Sequence, residues 1–259
     1  PSAQPLGHSF AGTKASLTFL DWFTTRAPGW WLGRILVVGI AARLFRYLMG
    51  HPLWGDEGML MMNLVDRPWQ KILEPLGMCQ VAPPLFVAGE WAMLHGAGPS
   101  VYALRLLPLL ASLVALVLFR RLVLLWLEPK AAAIAMGLMS VASWPIGMGS
   151  LMKPYSWDLL GALLLLLPAS RFLLQPRQSR WLWILAGASP VVLWGSFPSV
   201  FISSAVSLAL FIRVAQFPTA RNILGYLAWC ACLLASFGAC YLLVISRTVP
   251  ETMQGMRTY

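Results

Sequence analysis

Two adjacent carboxylic acids, Asp56 and Glu57, are the first residues that suggest chemistry, because the chain of 259 residues has only nine acidic side chains. They follow Gly55 in the sequence His51-Pro-Leu-Trp-Gly-Asp-Glu-Gly. One interpretation is a catalytic or metal-binding carboxylate. The alternative is a helix N-terminus, where acidic side chains accept hydrogen bonds from free backbone N–H groups and interact favourably with the helix dipole. Successive residues of a helix point roughly 100° apart, so the two carboxylates cannot face one ligand equally.

A second group of candidate residues is cationic and aromatic. Arg105 opens a long apolar run, and Lys153, Tyr155 and Asp158 share the motif Lys-Pro-Tyr-Ser-Trp-Asp between two such runs. A fixed cation beside an apolar cavity suits a lipid phosphate or pyrophosphate. The alternatives are a cation that snorkels to lipid headgroups, a Tyr of the aromatic belt, and an Asp that pairs with Lys153 or caps its helix.

Two weaker signals lie near these groups. The segment Gln80-Val-Ala-Pro-Pro-Leu-Phe contains Pro83 and Pro84, which predict an extended entry followed by a helix start. His51 lies close in sequence to Asp56 and Glu57, but one histidine with two adjacent acids is a weak metal-site pattern. A divalent metal bound by Asp56 and Glu57 stays open as a possible cofactor.

The composition indicates where this chemistry takes place. Hydrophobic residues make up 59% of the chain, charged residues only 11%, and the mean hydropathy is +0.71. Soluble domains carry about 25% charged residues. These values exclude a disordered protein, a nucleic-acid-binding domain and a soluble α/β enzyme, and they predict an all-α, polytopic transmembrane helix bundle surrounded by membrane lipids.

The apolar runs predict about seven spans, since a spanning helix needs about 20 residues. The runs are 30–48, 104–126, 131–150, 156–173, 181–198, 199–215 and 224–246. An eighth run, 83–95, is short and interrupted by Glu90, so we expect it to be interfacial or re-entrant, with Glu90 facing the interface. The four cysteines form no C-x-x-C pair, and we expect free thiols.

The net charge of +10 is read as a topology signal, because the basic residues cluster at the ends of apolar runs. Residues 1–29 are predicted to be a cytoplasmic tail, and residues 30–259 a transmembrane domain in the plasma (inner) membrane. Its first outer loop is about 49–103 and contains two amphipathic segments, 56–65 and 68–73, typical of interfacial helices. The predicted cytoplasmic positions are Arg120, Arg121, Lys130, Arg171, Arg177, Arg180, Arg213 and Arg221.

Taken in order along the chain, these motifs resemble one family. The order is Asp56-Glu57, Asn63, Gln80-x-Ala-Pro-Pro-Leu-Phe, the segment from Gly98 to Arg105-Leu-Leu-Pro, and Lys153-Pro-Tyr-Ser-x-Asp. It is similar to the N-terminal half of integral-membrane GT-C glycosyltransferases, in particular the bacterial protein-mannosyltransferase-like and aminoarabinose-transferase-like group. The similarity covers about residues 30–170 and elsewhere extends only to hydropathy.

The resemblance implies an inverting enzyme that takes a sugar from a polyprenyl-phosphate donor on the outer face of the membrane. The acceptor is a lipid, a glycan or a protein. Asp56 corresponds to the catalytic carboxylate, with Glu57 beside it, and Arg105, Lys153 and Tyr155 to donor phosphate-binding residues. The supporting positions are Asn63, Gln80, Pro83, Pro84 and Asp158.

Two departures from the family limit what carries over. Many relatives have His before Pro-Pro, where this chain has Ala82. Relatives are also much longer, so we expect the chain to be truncated after Tyr259. The alternative functions are a lipid-linked saccharide transporter or flippase and a non-catalytic membrane subunit. A transporter predicts mid-membrane charges and paired broken helices, and the runs after residue 156 show little of either.

Overall fold

Residues 28–248, which this computed structural model describes, are all-helical and contain no strand. The α-helices are α1 (Pro28–Leu48), α2 (Gly55–Val65), α3 (Pro84–Ala97), α4 (Val101–Leu104), α5 (Leu106–Trp126), α6 (Pro129–Val141), α7 (Ser143–Met148), α8 (Tyr155–Leu174), α9 (Arg180–Gly195), α10 (Ser199–Gln216) and α11 (Ala220–Cys240). A 3-10 turn covers Trp69–Lys71, and a π-helical turn, Tyr241–Ile245, follows α11. The predicted cytoplasmic tail, 1–29, lies outside the described residues except for its last two positions.

Within residues 28–248, four helical segments are long and apolar enough to cross a membrane, which is compatible with the predicted membrane protein. They are Val101–Trp126, Tyr155–Leu174, Ser199–Gln216 and Ala220–Thr248. The predicted count of about seven spans is not confirmed by length and composition. The helix α1 has 21 residues but carries three arginines, and α9 has 16 residues, short of the roughly 20 that a span needs.

The apolar run 131–150, which the sequence indicates is long enough to span, is not one continuous helix. The helix α6 ends at Val141, Ala142 is extended (φ −60°, ψ 130°), and the short α7 follows. Pro145 explains the break, because a proline ring clashes with the carbonyl of the residue four positions earlier, which is Val141. Hydropathy does not register this break, since the residues on both sides of it are apolar.

The buried guanidinium of Arg43 covers the carbonyls that this break leaves open. Arg43 is 1% exposed; its Nη2 donates to Met139 O (3.1 Å) and its Nη1 to Ser140 O (3.5 Å) and Gly39 O (3.0 Å). Its Nε donates to Ser112 Oγ in α5 at 2.9 Å. A cation at a helix C-terminus satisfies the last carbonyls and favours the helix dipole. One side chain therefore ties α1 to α5 and α6.

The long helices run in alternating directions, so their ends gather in two groups. The Tyr47 hydroxyl at the end of α1 donates to Tyr102 O at the start of the next span (2.7 Å). At the other end of that span, Trp126 Nε1 donates to Ser170 Oγ near the end of α8 (2.9 Å). Asn222, at the start of α11, donates to Pro176 O just after α8 (3.0 Å). The loop 49–103 and the start of α8 thus lie at one end, and the predicted cytoplasmic cations lie at the other.

The loop 49–103 is a folded layer. Its buried residues form one apolar cluster with the end of α4 and the loop before α8: Leu60, Leu64, Leu76, Ala82, Phe86, Val87, Leu94, Leu104 and Met152. The expected helix over 56–65 is present as α2, and the 68–73 segment contains the 3-10 turn. The short run 83–95 forms the 14-residue α3, which is not among the four candidate spans. This layer positions the polar residues described next.

Candidate functional site

A buried ion pair between Glu57 and Arg105 lies at the centre of the site. Arg105 Nη2 is 2.7 Å from Glu57 Oε2, and Arg105 Nε donates to Glu57 Oε1 at 3.0 Å. The two residues are 1% and 5% exposed. Glu57 lies in the first turn of α2, and Arg105 lies at the junction of α4 and α5. The parallel pair of hydrogen bonds therefore attaches the start of α2 to the start of a candidate span.

Glu57 is fully hydrogen-bonded by its surroundings. Besides Arg105, its Oε1 accepts from the backbone N–H of Met152 (2.7 Å) and its Oε2 from that of Trp54 (2.9 Å). Burial alone raises the pKa of this carboxyl, but the hydrogen bonds from Arg105, Trp54 and Met152 and the charge of Arg105 outweigh burial and hold the pKa below its usual range. Glu57 is thus an ionised anchor that joins α2, α5 and the loop before α8.

The remaining donors of Arg105 go to the chain before α2. Nη1 donates to His51 O at 2.7 Å and Nη2 to Pro52 O at 3.2 Å. Arg105 therefore holds two backbone carbonyls and one carboxylate at once. The structure places it in the expected neighbourhood of Lys153, since Met152 bonds to the same Glu57. A direct contact of Arg105 with a donor phosphate stays a prediction.

The more accessible part of the site is formed by Asp56, Lys153 and Gln80. Lys153 Nζ lies 3.4 Å from Asp56 Oδ2 and donates to Gln80 Oε1 at 2.7 Å. The Asp56 side chain is 50% exposed, whereas that of Lys153 is 13% exposed. Three residues separated by up to 97 positions thus form one polar cluster above the buried pair. The cluster presents the carboxylate of Asp56 next to the ammonium group of Lys153, whose aliphatic side chain is mostly covered.

The two acids differ in role, as their different directions on α2 require. Trp54 is the N-cap residue of α2, and Glu57 accepts its N–H, so Glu57 supplies the capping interaction considered for the acidic pair. Asp56 instead faces Lys153. The capping alternative therefore describes Glu57, and Asp56 is left as the carboxylate available to a ligand.

The predicted supporting residues have separate structural positions. Asn63 joins α2 to the following loop, because its Nδ2 donates to Gly77 O (3.2 Å) and its Oδ1 accepts from Gly77 N (2.6 Å). Pro83 is the N-cap of α3 and Pro84 its first residue, as predicted. Tyr155 begins α8 and is 49% exposed. Asp158 lies one turn further along α8, and the side chain of Ser196 is its hydrogen-bonding neighbour.

A metal ion shared by Asp56 and Glu57 does not fit the observed donors. Both oxygens of Glu57 already accept two hydrogen bonds each, which uses the acceptor capacity of a carboxylate. Within residues 28–248, no group of three or more His, Cys, Asp or Glu side chains is arranged to hold a metal ion.

Glu90 is a buried acid, and the prediction that it faces the membrane interface is wrong. It does not face the interface: it is 0% exposed, and neither of its oxygens has a hydrogen-bond partner among the described residues. Burial, with a smaller contribution from the charge of Glu57, raises its pKa to about 9. Helical spacing indicates that Glu90 is buried, because Phe86 and Leu94 lie four residues before and after it on the same helix face and are both buried.

The described residues define a class rather than a family: an all-helical fold with four helices able to cross a membrane and a polar cluster at one end. Comparison with protein families, with curated proteins and with solved structures finds no match to this chain. The resemblance to GT-C glycosyltransferases therefore depends on the motif residues. All four cysteines are free thiols, as expected.

Proposed function

We propose that the protein is a membrane glycosyltransferase that moves a sugar from a polyprenyl-phosphate donor to a lipid, glycan or protein acceptor. The observation that carries the proposal is the half-exposed carboxylate of Asp56, 3.4 Å from the partly covered ammonium group of Lys153. Sugar transfer needs both groups: a base for the acceptor hydroxyl and a cation for the leaving phosphate.

The buried pair supports this arrangement. Glu57 is the next residue after Asp56, so the Glu57–Arg105 hydrogen bonds fix the backbone that carries the base. Glu57 also accepts the N–H of Met152, the residue before Lys153. A single carboxylate thereby sets the separation of the base and the cation, as preorganised catalysis requires. In this proposal Arg105 and Glu57 are positioning residues.

The reaction is a displacement at the anomeric carbon. Asp56 takes the proton of the acceptor hydroxyl as the new C–O bond forms, and the bond between the anomeric carbon and the phosphate oxygen breaks with inversion. The bonding electrons stay with the polyprenyl phosphate, whose added charge Lys153 stabilises. Gln80 holds the ammonium group of Lys153 through its Oε1. Asp56 and Lys153 must separate to admit the two substrates.

The proposal includes a membrane topology. The four candidate spans are joined by α1, α6 with α7, and α9 into about seven crossings, with α2 and α3 in the outer interface. This arrangement puts the cations Arg121, Lys130 and Arg177 in the cytoplasm, as the positive-inside rule favours, and Asp56 and Lys153 on the outer face. A lipid-linked donor then reaches the site from the outer leaflet.

The decisive experiment compares two isosteric amide variants of the full-length protein, Asp56→Asn and Asp66→Asn. Asp66 lies at the C-terminal end of the same helix, is exposed, and forms no salt bridge within residues 28–248. Protein in nanodiscs receives polyprenyl-phosphate mannose or polyprenyl-phosphate aminoarabinose together with membranes that supply acceptors. Release of polyprenyl phosphate is measured. Asp56→Asn should lower the rate by about 10²–10⁴-fold, whereas Asp66→Asn should leave it unchanged.

Unfolding measurements separate chemistry from folding. Asp56→Asn should unfold within about 4 °C of the wild-type temperature, because the half-exposed pair with Lys153 that it removes contributes at most about 1 kcal/mol and the buried Glu57–Arg105 pair is unaltered. Near-normal transfer by Asp56→Asn overturns the assignment of Asp56 as the base. If wild type releases polyprenyl phosphate from neither donor, the transferase proposal fails for those sugars.

A further inference from the structure

A groove opens at the end of the bundle opposite the candidate site. Its floor is α8, and its walls are α5 and α9, which both pack against α8. Its volume is about 230 Å³. We call it the basic groove; the lining residues that matter are Leu118, Arg121, Leu164, Leu167, Arg171 and Trp181.

The basic groove carries positive charge without a matching acid. Arg121 lies on one wall and Arg171 on the floor. Within residues 28–248, neither side chain forms a salt bridge or a hydrogen bond. Arg171 lies 5.9 Å from the ring centre of Trp181, which closes the other wall. Two cations in one groove with no acid between them form a site for an anion with several acceptor oxygens.

The rest of the groove is apolar and extends away from the cations. Leu164, Leu167 and Arg171 recur every three or four residues and form one stripe on α8. At 1.5 Å per residue, this stripe is about 10 Å long. Leu118 lies one turn before Arg121 on the facing wall. An occupant must therefore join an anionic group to an extended apolar chain.

We propose that the basic groove binds an anionic glycerophospholipid. Its phosphate lies between Arg121 and Arg171, and one acyl chain follows Leu164, Leu167 and Leu118 along α8 and α5. The helices α5 and α8 belong to the candidate membrane spans, so bilayer lipid reaches the groove directly. Trp181 takes the interfacial position that its amphipathic ring favours. The inference does not depend on the proposed transfer reaction.

Native mass spectrometry of the full-length, delipidated protein tests the proposal. Phosphatidylglycerol and phosphatidylcholine are added separately, and the lipid-bound fraction is measured. The double variant Arg121→Gln/Arg171→Gln should bind phosphatidylglycerol with an affinity about tenfold or more below that of wild type. This is the loss expected from removing charge-assisted hydrogen bonds. The matched control is Arg213→Gln/Arg221→Gln, which removes the same charge from the same end of the bundle but outside the groove.

Two further arms test each half of the ligand. Leu167→Trp fills the apolar part and should weaken phosphatidylglycerol binding while both arginines remain. Glycerol 3-phosphate, which has the anion without the chain, should not compete at lipid-equivalent concentration. Equal loss in the control double variant, equal binding of phosphatidylcholine, or competition by glycerol 3-phosphate would each overturn the proposal.

Discussion

The two ends of the bundle use positive charge in opposite ways. At the site end, Arg105 pairs with Glu57 and Lys153 with Asp56. At the other end, the predicted cytoplasmic cations form no salt bridge within residues 28–248. Arg180 and Arg213 each donate to a glutamine side chain and lie against an aromatic ring. Glu128 is the one acid of the described part that lies at that end.

The difference is set by where the acids are. An acid allows a cation to be buried and oriented, because each offsets the desolvation of the other. A cation without an acid is buried only where other acceptors meet it, as carbonyls and Ser112 meet Arg43. Otherwise it stays near the surface and keeps its hydrogen-bond donors available to outside anions. Positioned chemistry is therefore expected at the paired end, and lipid contact at the basic end.

Breaking the buried pair should give the largest effect on stability. Glu57→Gln leaves Arg105 buried without its counter-charge, which should cost about 3–5 kcal/mol of unfolding free energy. The matched control is Glu74→Gln, which breaks an exposed pair with Lys71 at 3.7 Å and should cost less than about 1 kcal/mol. Denaturant unfolding in detergent measures both variants. Equal, small costs would mean that burial of the pair is not what fixes the paired end.

Glu90 should give an intermediate effect that depends on pH. Its pKa is raised from 4.5 to about 9, so the folded state binds a proton that the unfolded state has released, and stability should fall as pH rises from about 4.5 to about 9. Glu90→Gln removes this slope. The variant's unfolding temperature, compared with that of wild type, should therefore rise steadily across the window. A constant difference would show that Glu90 is not protonated in the folded protein.

A single cation at the basic end should give the smallest effect. Arg177 is exposed and has no salt bridge within residues 28–248. Arg177→Gln should change the unfolding free energy by no more than about 0.5 kcal/mol. A cost above about 1 kcal/mol would reveal a partner and remove the contrast between the two ends.

The all-helical fold followed from the sequence, whereas the pairing within the candidate site did not. Composition and hydropathy predicted helices, and five of the residues selected by motif order, Asp56, Glu57, Gln80, Arg105 and Lys153, are joined by hydrogen bonds and ion pairs at one end. Asp56 and Glu57 have different roles because Glu57 pairs with Arg105, which is 48 positions away in the sequence. No local sequence pattern predicts a contact at that separation, so the residues around Asp56 and Glu57 could not show which acid is the buried one.

The break in the run 131–150 and the burial of Glu90 were missed because mean hydropathy does not register the effect of single residues. Pro145 marks the end of α6, but it lies in an apolar run and leaves the mean hydropathy high. Glu90 lies on the same face as Phe86 and Leu94, and helical spacing places it inside. The burial of Arg43 is different, because it depends on carbonyls freed by the break after Val141.

The carbonyl contacts of Arg43 also have a consequence for how the chain is made. The ribosome completes α1 long before the partners of this guanidinium exist: Ser112 follows Arg43 by 69 residues and Met139 by 96. In the proposed topology, α1 presents during that interval a cation that lipid disfavours. It therefore reaches its final packing only once α6 has been made, and nascent chains that end before α6 should be recognised as unfinished by membrane quality control.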